Sequence, residues 1–436
     1  MLIQAKRGRW DASDVTGSGR GAKGEDGGFG EAMNITPFRK LVALPEALEL
    51  VRLNSAQVGR TEEVAAAAAA GRVLAVDVVS QMDVPAFDRS AMDGYAVRSD
   101  EVVGAGELSP VALRVAGELF AGDAAAVRVE KGTACRVATG AVLPGGADAV
   151  VMAEYASEEG GVVSLRRAEP KWGNVSRRGS DIKAKTRVLS AGTLLDPAKV
   201  GVLASLGQSS VKVISRPRLA IVSSGNEIAE PGTPLGPAQV YNSNSYTLSS
   251  LVGQSGGESS ILPRIEDTKE AVREALLKAR ADGFDAVAIS GGSSVGERDL
   301  LAGVLSELGE ILFHGVQIKP GKPFLFGRIG PLRVFGVPGY PAACLMVGQV
   351  FLAPSVRRMA GLPPARRTVK ARLSRRIASR LGRVQFLTVK LADGEAEPVF
   401  KESGAITSLA AADGYIVVPD NVELIEKSEI VEVVLF

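Results

Sequence analysis

The chain has 436 residues, too many for one ordinary core, so several domains are expected. Its 51 basic and 49 acidic residues leave a formal net charge of +2, which argues against a dedicated nucleic-acid binder. Two cysteines and one histidine, His314, leave no disulfide framework, zinc site or histidine triad, so catalysis falls to carboxylates, lysines, hydroxyls, backbone amides or a bound metal.

Residues 1–33 are rich in glycine and charge and poor in apolar side chains, which predicts a disordered extension. They contain no apolar core of a secretory signal, and Met33 is an alternative start. No apolar run reaches the roughly 18–20 residues of a membrane helix. A reducing cytoplasm, with no membrane and no nucleic-acid partner, is the expected setting.

From Pro37, "PFRKLVALPEALELVRLNSA" predicts an amphipathic helix. "TEEVAAAAAAGRVLAVDVVS" predicts a second helix through the alanine run, feeding a strand past Gly71. The stretch Asp88 to Val97, "DRSAMDGYAV", carries more charge than a core needs and suggests a site. Short alternating runs make the segment from Pro110 to Gly179 all-β, and "LLDPAKVGVLASLGQSSVKVI" returns to a helix and a strand.

Between Arg218 and Leu362 the rhythm is strand, loop, helix, which implies a mostly parallel sheet with helices on both faces. Within it, "NSNSYTLSSLVGQSGGE" predicts a helix capped by Asn242 or Ser243. Ligands bind such sheets beyond the carboxyl ends of the strands. Gly361 to Arg367 is a linker, and the tail alternates like a small β-barrel or sandwich.

Three loops, each after an expected strand, carry the candidate chemistry: Ser223–Glu227, Ser290–Asp299 and Gly336–Pro341. Ser223, Gly225, Ser290, Gly291, Gly292 and Ser294 would offer amides and hydroxyls to a phosphate or oxyanion, although such loops also simply turn chains. No Walker A motif is present. "IKPGKP" holds Lys319 and Lys322 about a Pro-Gly turn, either a clamp for anionic charge or a solvated turn. Glu227 and Asp299 end two loops, are hard to read as caps, and suit Mg²⁺ beside a phosphate. For Asp267 the balance favours an N-cap, with Glu270 completing a capping box.

These loops in this order resemble the molybdopterin molybdenumtransferase (MoeA) family, whose animal relative is the E domain of gephyrin. The resemblance rests on "FDRSAMDGYAV", "ATGAVLPGGADAVV", "RRGSDI", "SSGNEIAEPG", "YNSNSY", "SGGSSVGERD", "IKPGKPF" and "GVPGYPAACL" and runs from about Pro37 to the C-terminus. It implies a multidomain α/β plus β fold. An elongated linker and dimerisation domain would span 34–88 and 180–215, with a small β domain inserted at 89–179. A MogA-like, mostly parallel α/β domain would span 216–362, and a C-terminal β-barrel-like domain 363–436.

The resemblance further implies insertion of molybdate into adenylylated molybdopterin with release of AMP, a divalent cation such as Mg²⁺, and a homodimer whose cleft is shared between subunits. Contact with the adenylyltransferase that supplies the substrate is also implied. Asp93, Glu227, Asp267, Asp299 and Lys319 match its catalytic positions. Thr139, Asp181, Pro338, Pro341 and Ser408 match further cleft positions. Four departures stand out: Asn226 for the usual aspartate, Tyr340 for the usual asparagine, Ser176 for a common arginine and Gly315 for a common lysine. They leave open a paralogue tuned to tungstate, or a carrier or scaffold that inserts no metal. An adenylyltransferase is a third reading.

Overall fold

The computed structural model describes residues 41–291, 299–399 and 406–436; the proposed extension at 1–33, together with Gly292 and Ser294, lies outside them. A six-stranded sheet joins Gly94–Val97, Val111–Leu119, Thr133–Val137, Ala149–Met152, Ala156–Glu159 and Val162–Leu165. Successive side chains leave a strand on opposite faces. Tyr95, Val97, Ala149 and Val151 therefore enter one apolar cluster, while Ala96, Cys135, Val137 and Val150 enter another. This segment is all-β, as its alternation predicts.

The alanine run departs from expectation. Thr61–Ala65 is a strand paired antiparallel with Ser210–Ile214, and Ala66–Ala68 make one 3₁₀ turn. Helix propensity separates ordinary residues by only about 0.7 kcal/mol each, so a long-range ladder and the burial of Ala66 and Ala69 outweigh it. The helix Pro197–Ser205 forms as expected, with Asp196 accepting the Lys199 N–H at 2.9 Å. The first helix, Leu44–Leu53, buries Ala47 and Val51 among residues of the α/β sheet.

That sheet runs Glu258–Ile261, Arg218–Ser223, Ala286–Ser290, Leu332–Val337, Leu325–Ile329, Glu310–His314. The first four strands are parallel, and Leu325–Ile329 runs antiparallel to both its neighbours, Leu332–Val337 and Glu310–His314. Leu219, Ile221, Ala288 and Phe335 pack on one side with helices Ser243–Gln254 and Ala353–Met359. Ala220, Val222, Val287 and Ile289 pack on the other with helices Lys269–Ala281 and Leu300–Leu308. From Arg218–Ser223 the chain goes outward to Glu258–Ile261, then crosses back to Ala286–Ser290 on the opposite flank. The reversal opens a crevice beyond Ser223 and Ser290, where ligands bind such sheets.

The tail is a closed five-stranded barrel: Val384–Ala392, Glu395–Pro398, Thr368–Leu373, Ile430–Leu435 and Gly414–Val418, which returns to the first strand. Leu373, Val389, Ala396, Val418 and Val433 fill it. Ile318–Lys319 adds beside Val384 and Gln385, so the lysine-bearing turn is strapped to the barrel.

Candidate functional site

Ser223 and Ser290 end adjacent parallel strands in register. The Ser223 hydroxyl donates to Asn242 Oδ1 at 2.8 Å and lies 2.8 Å and 3.0 Å from the hydroxyls of Ser245 and Ser290. All four side chains are buried. Asn242 caps helix Ser243–Gln254: its Oδ1 accepts the Ser245 N–H at 3.2 Å, and its Nδ2 donates to Glu230 at 2.9 Å. An unpaired buried polar group costs about 1–3 kcal/mol, so this mutual pairing makes a rigid polar floor.

Over that floor lies a cavity of about 770 Å³. Ser224 and Glu227 of the first loop, Gly291 of the second, and Pro338, Tyr340 and Pro341 of the third line it, as the loop positions predict. The run from Val240 to Asn244 forms a further wall that the loop reasoning leaves out; its trace in the sequence is the cap inside "YNSNSY". Gly291 has a φ of 88°, and a Cβ there would come within 2.2 Å of the Ser224 carbonyl oxygen. Only glycine lets the two loops cross so closely.

The carboxylates correct two expectations. Asp267 does not cap the following helix. Thr268, at φ −129° and ψ 152°, takes that place and accepts the Ala271 N–H at 3.2 Å, so Glu270 completes no capping box. The Asp267 carboxylate instead accepts from the Ser224 hydroxyl, which binds it to the cavity wall. Asp299 is a cap: Oδ1 accepts the Ala302 N–H at 3.0 Å. Its Oδ2 lies 2.9 Å from His314 Nε2.

Three family models match in succession: the MoeA N-terminal region (domains I and II) over residues 42–207, a probable molybdopterin binding domain over 220–358, and the MoeA C-terminal region (domain IV) over 370–436. A putative molybdopterin biosynthesis protein of Methanocaldococcus jannaschii is 37% identical over 385 residues, 86% of this chain and 92% of that one. The chain belongs to the MoeA family. Molybdopterin molybdenumtransferase 2 of Mycobacterium tuberculosis is 35% identical over 81% of this chain and 90% of its own length. The crystal structure of the MoeA protein from Pyrococcus horikoshii matches with a TM-score of 0.79 and 34% identity, covering 91% of this chain and 100% of that one.

The positions expected from the MoeA resemblance fall in several places. Asp93, just before strand Gly94–Val97, and Thr139, just after strand Thr133–Val137, meet at one end of the inserted β sheet, where the Asp93 carboxylate accepts the Thr139 N–H at 2.7 Å and its hydroxyl at 3.0 Å. Those bonds, the amide first, hold the Asp93 carboxyl below its ordinary value. Asp181 is exposed, in the turn whose amide reaches the Val84 carbonyl at 3.1 Å. Lys319 lines a separate cavity of about 180 Å³ with Arg380, Arg383 and Gln385 of the barrel. Lys322 stands beside Pro323, which lines the larger cavity. Ser408 is buried on helix Ile406–Ala410, which packs on the cavity helix Pro341–Val347. Gly315 has a φ of 92°, so a side chain there would strain the backbone.

Proposed function

We propose that the protein is a molybdopterin molybdenumtransferase that inserts molybdate into adenylylated molybdopterin and releases AMP. The observation that carries this reading is the cavity of about 770 Å³ at the strand-order reversal, floored by the Ser223–Asn242–Ser245–Ser290 network in a MoeA chain. Loop amides and hydroxyls suit phosphate oxygens, and the proline and tyrosine walls suit flat rings. Relatives named for the reaction, such as the one 35% identical in Mycobacterium tuberculosis, support its class.

Glu227 and Asp299 are the residues proposed to hold Mg²⁺. Glu227 is exposed in the cavity wall, and no cluster of three or more His, Cys, Asp or Glu suited to a metal occurs among the described residues. A cation that takes one or two carboxylates and completes its shell with substrate phosphate and water would take Glu227 from the cavity wall, whereas Asp299, whose Oδ1 caps helix Leu300–Leu308, stands outside that lining and would be the second ligand. When bound, the cation would neutralise phosphate charge. Ser290 and Gly291 at the cavity floor and Gly225 in the adjoining loop are the positions proposed for phosphate, Ser223 holds that floor through Asn242, Asp267 fixes the Ser224 side of the wall, and Lys319 and Lys322 would bring positive charge from outside the lining. The protein acts as a homodimer in which Asp93, Thr139 and Asp181 of one subunit complete the cavity of the other. The adenylyltransferase that makes the substrate is its expected partner.

The test is AMP release by purified protein given adenylylated molybdopterin with molybdate, then with tungstate, with and without chelator. AMP should appear, chelation should stop it, and Asp299→Asn should slow it by at least about a hundredfold. Tight substrate binding with no AMP under either oxyanion would replace the enzyme by a carrier. Full turnover in excess chelator would remove the cation.

A further inference from the structure

We propose that Tyr340 is a specificity-determining residue that stacks on the planar nitrogen heterocycle of the ligand, with Tyr241 serving the same cavity; this rests on the function proposed above. Tyr340 is 67% exposed and Tyr241 45% exposed, yet both line the large cavity. Neither ring belongs to an apolar core cluster. Each offers the wall a broad apolar face that a flat ligand would cover, and such ring contacts add to plain burial.

The backbone that presents Tyr340 is held on both sides. Before it, the Gly339 carbonyl accepts from Asn244 Nδ2 at 2.8 Å, and Gly339 lies beside Gly291, where a Cβ would make ordinary van der Waals contact at 3.7 Å with the Gly291 Cα. After it, Pro341 starts the helix, and the Tyr340 carbonyl accepts the Cys344 N–H at 2.8 Å. Pro338 restricts the loop further. The Tyr241 ring is fixed by its hydroxyl, which donates to the Thr233 carbonyl at 2.9 Å. A platform held this way gives up little freedom on binding.

No lysine or arginine lines this cavity among the described residues. A ring there meets two phenols and the prolines, so the chemistry recognised on this wall is a planar heterocycle, while phosphate is left to the loop residues of the floor. Adenine and the pterin share that chemistry.

Two binding titrations separate the sources, one with AMP and one with 6-hydroxymethylpterin, each on the intact protein, Tyr340→Asn and Tyr340→Phe. The Asn variant should lose roughly tenfold in affinity for one probe, as expected for one stacked base, while the Phe variant stays within about threefold. The probe that weakens identifies the ring. Equal binding of both probes by the intact protein and Tyr340→Asn overturns the inference, as does failure of the intact protein to bind either. In the AMP-release assay, Tyr340→Asn should raise KM more than it lowers kcat. An unchanged KM with normal turnover removes Tyr340 and leaves the function standing, whereas no turnover by the intact protein sinks the function and leaves ring binding to the titrations.

Discussion

Ser223 has one proton to give, and it goes to Asn242; its lone pairs then face the hydroxyls of Ser245 and Ser290. Asn242 is the hub, because one amide caps a helix, accepts from Ser223 and donates to Glu230. Asn242→Ala should therefore lower stability by about 2–3 kcal/mol in urea unfolding, combining a lost cap with stranded buried partners. Asn242→Asp keeps the cap but sets a second carboxylate against Glu230, so it should unfold more readily at neutral pH than in mild acid. A loss below about 0.5 kcal/mol in the alanine variant would show that water replaces the network. The two thiols behave in the opposite way. Cys344 is pushed up to about 12 and Cys135 to about 11, in both cases mainly by burial. Iodoacetamide at neutral pH should leave both unmodified in the native protein and add two groups in urea, read by mass spectrometry. Rapid native labelling of either would contradict its burial.

Elements are joined here by charges placed just ahead of strands. Arg60, preceding Thr61–Ala65, makes two bonds to the Asp285 carboxylate at 2.8 Å and 2.7 Å, and Asp285 precedes Ala286–Ser290. The Arg218 N–H donates to the same carboxylate at 2.8 Å. Asp285 thus staples the N-terminal strand pair to the central sheet. Its side chain is 11% exposed but that of Arg60 is 47% exposed, so Asp285→Ala should cost about 1–3 kcal/mol rather than the larger loss of a fully buried pair. A double-mutant cycle with Arg60→Ala measures the coupling; additive losses would mean that the Arg218 amide alone accounts for the effect. The same region shows where reading by elements fails. Six alanines in a row argue for a helix. What overrules them is Ser210–Ile214, nearly 150 residues downstream by the Ala65–Ser210 pairing, and no local window contains it. The caps fail for a smaller reason. Asp267-Thr268 offers two good capping residues side by side, and Thr268 takes the extended geometry of a cap and accepts the Ala271 N–H.

Across the whole molecule, the large cavity is walled by residues from Ser223 to Pro341, while Asp93 and Thr139 lie at one end of the inserted sheet and Lys319 lines a different cavity beside the barrel. If subunits share the site, an Asp93→Asn chain mixed with a Glu227→Gln chain should regain AMP release that neither shows alone, because some mixed dimers hold one intact site. No recovery, with mixed dimers verified by mass, would confine the site to one subunit. The mostly parallel sheet, a β tail left open between barrel and sandwich, the all-β segment and the loops following the strands were legible along the chain. Each follows from local periodicity, or from glycine and proline at turns, and needs only neighbours in sequence. The Ser224–Asp267 bond, the Asp299–His314 pair, the strand in place of an alanine helix and the parting of Lys319 from Glu227 needed the tertiary structure. Each depends on which distant segment arrives beside a side chain, and a hydrogen bond is decided within a few tenths of an ångström of that arrival.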